Sequence, residues 1–151
     1  MRRTKLALAL ALGLVLVLAG CGGDGDERLS RAEFVDRATA ICERAEQRIG
    51  ELGEPDSVEE LAGFAREARS ITEESVGELQ ELDPPEALEP GFDRYLERAG
   101  EVVDLLEELE GAAEDGDSEE ALRIAGQIGT SADAQGAARA AGIPACEDDE
   151  G

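Results

Sequence analysis

Residues 30–52 read SRAEFVDRATAICERAEQRIGEL, and their apolar members Phe34, Ala38, Ile41, Ala45, Ile49 and Leu52 recur at steps of three or four. That spacing lays one stripe along an α-helix, whereas a strand would scatter the same residues over both faces. Ser30 followed by Glu33 forms a capping box, in which the hydroxyl accepts the N–H of residue 33 and the carboxylate reaches back to residue 30. Three further segments repeat the pattern. The second carries Leu61, Phe64, Ala68, Ile71, Val76, Leu79 and Leu82, opens on a capping box of Ser57 with Glu60, and is stopped by Pro84 and Pro85. The third follows Pro90-Gly91, carries Phe92, Leu96, Ala99, Val103, Leu106 and Leu109, and is expected to end near Gly111. The fourth starts after Asp117, whose carboxylate can cap toward Glu120, and carries Leu122, Ala125 and Ile128 before fading into Ala and Gly. Gly126, Gly129 and Gly136 each cost about 1 kcal/mol against Ala in a helix interior, so a break is expected near Thr130 or Ser131. No alternating strand pattern and no hairpin turn appears. The expected fold is all-α, an up-down-up-down four-helix bundle over residues 30–146 with an acidic tail at 147–151.

Of 151 residues, 37 are Asp or Glu against 14 Lys or Arg, a balance that repels phosphate and excludes nucleic acid as a partner. His and Trp are absent, which removes the commonest general base and the best metal ligand. No phosphate-binding glycine loop, nucleophile elbow or zinc spacing is present. Paired carboxylates alone can hydrolyse glycosides, but one Tyr and three Phe scarcely supply the aromatic platforms of a sugar site. No catalytic residue, cofactor or metal ligand is therefore assigned, and the chain is read as a non-enzyme.

At the start of the chain, Arg2, Arg3 and Lys5 precede an apolar run of 13 residues from Leu6 to Leu18. A positive entry and a short apolar core make residues 1–20 a signal peptide, since a membrane span needs about 20 apolar residues. The following Leu18-Ala19-Gly20-Cys21 resembles the lipobox of bacterial lipoproteins. The resemblance implies cleavage before Cys21, a diacylglycerol on its thiol, and a protein moored to the outer, extracytoplasmic face of the cell membrane. Two acyl chains, at about 0.8 kcal/mol per buried methylene, are enough for lasting attachment. Residues 21–29 then form the lipidated Cys and a flexible Gly- and acid-rich tether. Cleavage removes three basic residues and no acids, leaving 11 basic against 37 acidic side chains, a formal charge of −26. Such a body is repelled by anionic lipid, so the anchor alone holds it at the membrane.

With Cys21 committed to lipid, Cys42 and Cys146 remain, in a compartment where disulfides persist. They are predicted to pair, tying the end of the domain to its first helix. Neither lies in a CxxC motif that would suggest redox catalysis. The mature region resembles small secreted or lipid-anchored proteins common in high-GC Gram-positive bacteria. The resemblance rests on Phe34 to Ala45 (FVDRATAICERA), Leu82 to Leu96 (LDPPEALEPGFDRYL) and Gly142 to Cys146. It implies location, helical fold and disulfide, and transfers no activity.

The acids crowd two connections. Glu51, Glu54, Asp56, Glu59 and Glu60 surround one, and Glu107, Glu108, Glu110, Glu114, Asp115, Asp117, Glu119 and Glu120 the other. In the expected bundle both lie at the end far from the membrane. They read first as solvated loops and dipole-favoured helix N-termini, and second as an anionic tip for divalent cations or a basic partner. An acidic surface with Arg as its only mature cation also resembles salt-adapted proteins. By elimination, the expected function is an envelope interaction module that engages a protein partner. The alternatives are a carrier of a small apolar or amphiphilic ligand between the helices, and cation binding at the tip. The Ala- and Gly-rich fourth segment decides the carrier question: tight packing leaves no room, and a helix that stands off leaves a groove.

Overall fold

The computed structural model describes residues 28–129 and 132–146, and every regular element among them is helical. The helices are α1 (Arg31–Glu51), α2 (Val58–Gln80), α3 (Glu89–Glu114), α4 (Ser118–Gly129) and α5 (Ala132–Ala141), followed by a short 3-10 turn at Pro144–Cys146. The expected fourth helix is thus two, α4 and α5, parted at the Gly-rich stretch where backbone entropy disfavours continuation. The leader, Cys21 and the acidic tail, residues 147–151, lie outside the described residues.

Capping explains most of the boundaries. Ser30 and Glu33 close both arms of their box, Ser30 Oγ accepting from Glu33 N at 3.3 Å and the Glu33 carboxylate from Ser30 N at 3.1 Å. Ser57 makes only the forward arm, accepting from Glu60 N at 3.2 Å. The Glu60 carboxylate instead accepts from Asp56 N at 2.8 Å, one residue before the expected partner. The third helix runs past Gly111 to Glu114, and Gly116 at φ 72° is the residue that ends it. There Gly116 N donates to Ala113 O and Asp117 N to Ala112 O, a Schellman closure that satisfies two orphan carbonyls. Asp117 then opens α4, its carboxylate accepting from Glu120 N at 3.1 Å. Asp117 thus donates to the closure of α3 and caps the start of α4.

Ion pairs show the direction of the first three helices. Arg44 meets Glu78 and Arg48 meets Glu74, so α1 and α2 run antiparallel; Arg66 reaches Glu114 while Arg69, further along α2, meets Glu110, so α2 and α3 do too. α3 packs along α2 on one side and along α4 and α5 on the other. Its first turn presses on the end of α5 at Gly91.

The core is in two parts. One gathers Phe34, Leu79, Phe92, Ala138 and Ile143, with the Phe34 and Phe92 rings edge-to-face at 5.0 Å. The other gathers Ala65, Ala68, Leu106, Leu109, Ala121 and Ile124.

Candidate ligand cleft

A cleft of about 290 Å³ draws its lining from both parts of the core. Each of three helices contributes one face at helical spacing. From α1 come Cys42, Ala45, Glu46 and Ile49, and from α2 Phe64, Ala68, Thr72 and Ser75. From α3 come Tyr95, Ala99, Val102 and Leu106, while Ile128 near the end of α4 and Cys146 complete the wall. The space exists because Ala45, Ala68 and Ala99 occupy stripe positions where a larger side chain would fill it.

Its polar atoms are few and already engaged. Thr72 Oγ1 donates to Ala68 O at 2.8 Å, and Ser75 Oγ donates to Thr72 O at 2.9 Å. Such back-bonding uses each hydroxyl hydrogen and turns only lone pairs toward the cleft. The Tyr95 hydroxyl lies 3.8 Å from Cys42 Sγ. Among the described residues Glu46, exposed, is the one charged side chain of the lining.

One end of the cleft is set by the two cysteines. Cys42 and Cys146 stand at disulfide distance, their Cα atoms 5.2 Å apart and 104 residues apart in sequence. The chain reaches this point because Gly142, at φ 75°, reverses it after α5. Gly142 N donates to Arg139 O and Ile143 N to Ala138 O, both at 3.0 Å, a second Schellman closure. Ile143 is then fully buried, which fixes the 3-10 turn against α1.

The acidic connections look different at close range. The Glu110 side chain is 14% exposed and accepts from Arg66 Nε at 2.6 Å and Arg69 at 3.2 Å. The Arg66 hydrogen bond foremost, with help from Arg69, holds its carboxyl below the ordinary range. Glu114 also pairs with Arg66, and Glu120 with Arg123, whose hydrogen bond lowers the Glu120 carboxyl likewise. Among the described residues no group of three or more His, Cys, Asp or Glu is placed to hold a metal ion. No helix among them is long and apolar enough to cross a membrane.

Sequence reading assigned Cys42 to the cystine and Ala45, Ile49, Phe64, Ala68, Ala99, Leu106 and Ile128 to the core. It missed Glu46, Thr72, Ser75 and Tyr95 as cleft residues, and on α3 it read Val103 on the stripe where Val102 lines the cleft. The signal was present for two of them: Glu46 falls four residues after Cys42, and Thr72 four after Ala68, so both are polar residues on an apolar stripe. Compared with protein-family models, curated proteins and solved structures, the chain matches none.

Proposed function

We propose that this chain is a lipid-anchored, extracytoplasmic, non-enzymatic carrier that takes a small apolar or amphiphilic molecule into the cleft between its helices. One observation carries the reading: a cleft of about 290 Å³ lined mainly by Ala, Ile, Val, Leu and Phe, with few polar groups, close to the lower end of ligand-site volumes. At the roughly 30 Å³ that a water occupies in the liquid, it accommodates on the order of ten non-hydrogen atoms. That suits a single short chain or a ring system.

The remaining parts of the proposal fit around it. Residues 1–20 act as the export signal, and Cys21 carries the lipid that moors the body. The bundle is up-down-up-down, with α4 and α5 together serving as its broken fourth arm. The Cys42 to Cys146 bridge, formed outside the cytoplasm, fastens that arm to α1. An envelope interaction module has less in its favour. The exposed large apolar side chains among the described residues are Leu52, just past the end of α1, and Leu122 on α4, and scattered single residues of this kind are ordinary on a surface.

The test is calorimetric titration of the chain with decanol below its solubility limit, beside an Ala99→Phe variant whose ring fills the cleft. Saturable one-to-one binding that the variant loses supports the carrier. Absence of heat with the unaltered chain, or equal binding by the variant, refutes it. Metabolic labelling with an alkynyl palmitate, abolished by Cys21→Ser, checks the anchor separately.

A further inference from the structure

We propose that the cleft reads the length of a single unbranched hydrocarbon chain, filling at about ten carbons, and disfavours a fused ring of the same atom count. The inference rests on the carrier reading and narrows its ligand from any small apolar or amphiphilic molecule to one extended alkyl chain. It follows from the shape of the cleft and from the state of its polar groups.

The shape comes from the division of the core. Cys42, Tyr95 and Cys146 belong to the first part and Phe64, Leu106 and Ile128 to the second, so the cleft bridges the two. α2 lines it from Phe64 to Ser75 and α3 from Tyr95 to Leu106, each over about 16 Å of helix at 1.5 Å per residue. Room for about ten atoms, laid along about 16 Å, is room for them in single file. A flexible chain fills that space by extending. A fused ring sets its atoms in two rows, too short for the length and too wide for the section. Both ends are marked by bulk: the Cys42 and Cys146 sulfurs, at disulfide distance, at one, and the Phe64 ring with Ile128 at the other.

The polar groups leave length as the property that can be read. Thr72 and Ser75 have spent their hydrogens on backbone carbonyls of α2, and Glu46 and Tyr95 each have an interaction partner already. A head group drawn inside would lose its hydration with little returned, so it stays in the water and the alkyl chain is the part held. Each methylene taken from water tightens binding by up to about fourfold, and one that projects beyond the filled cleft adds little.

The experiment titrates the full chain with hexanol, octanol, decanol, dodecanol and the fused-ring alcohol 2-decalol, each below its solubility limit, by calorimetry and by tyrosine fluorescence. Tyr95 is the one tyrosine of the chain and Trp is absent, so the emission reports on the cleft itself. Affinity is expected to rise about two- to fourfold per methylene up to decanol. Dodecanol is expected to gain less than about twofold over decanol, where two further buried methylenes would give up to about sixteenfold. The ring alcohol is expected to bind at least about tenfold more weakly than decanol, and Phe64→Ala to carry the rise on to dodecanol. A rise that continues undiminished to dodecanol in the unaltered chain, or 2-decalol binding as tightly as decanol, would overturn the inference and leave the carrier reading standing. A break that stays at decanol in Phe64→Ala would overturn the placing of that ring as the stop. No saturable binding of any of the five would remove the carrier reading itself.

Discussion

At Gly91 a Cβ atom would stand 2.5 Å from the carbonyl carbon of Ala140, 2.6 Å from its oxygen and 2.7 Å from Ala141 N. All three are backbone atoms, so no rotamer change can make room, and α5 itself would have to move. Gly91→Ala is therefore expected to destabilise the chain by about 2 kcal/mol, read as a lower urea midpoint. Gly111→Ala is the control of opposite sign, because nothing lies within 4 Å of its Cβ position and Ala is the better helix former by about 0.5–1 kcal/mol. In the sequence these two glycines look reversed. Gly91 reads as a mere helix entry behind Pro90 and Gly111 as a helix end, because the close approach that makes Gly91 necessary comes from residues about 50 positions away. Gly116 and Gly142, by contrast, do what a glycine after an apolar stripe suggests, each closing a helix with positive φ.

Between elements, the contact most exposed to chemical control is the Glu110 clamp of α3 on Arg66 and Arg69 of α2. Because the folded chain lowers the Glu110 pKa, the stability it contributes is complete above the ordinary carboxylate range. It is lost as pH falls through the lowered value. The melting temperature of the unaltered chain should thus exceed that of Glu110→Gln at neutral pH, and the two curves should converge in acid. A gap that is constant or widens on acidification would contradict this. Sequence reading placed the helices well for the same reason that these pairs form. Stripes at steps of three and four fix which face of α1, α2 and α3 turns inward, and local caps such as Ser30 with Glu33 fix where α1 and α2 begin. On α4 the expected stripe is displaced: Leu122 is 71% exposed, and Ala121 and Ile124 are the residues buried. What it missed were consequences of neighbours. The second capping box is incomplete because Glu60 finds the N–H of Asp56 first, and α3 continues through Gly111 because its apolar face still has α2 and α4 to cover.

For the molecule as a whole, a formal charge of −23 sets self-repulsion against nine short Arg–carboxylate contacts among the described residues. Exposed pairs of this type contribute about 0–1 kcal/mol each and are screened together with the repulsion, so the excess acid decides the balance. Molar sodium chloride is expected to raise the melting temperature by several degrees relative to low salt, and a fall would show that the pairs outweigh the repulsion. The cleft could not be read at this scale from sequence. It is made of missing volume at Ala45, Ala68 and Ala99, and alanines on an apolar stripe read equally well as close packing or as empty space until the distance between helices is known. The position of Cys146 beside Cys42 has one more consequence. With those sulfurs joined, the backbone from 42 to 146 is a ring that includes α2, α3, α4 and α5 and the second half of α1. A protease that nicks any one of its turns opens the ring without freeing a fragment, and the severed pieces remain on the same tether to find each other again.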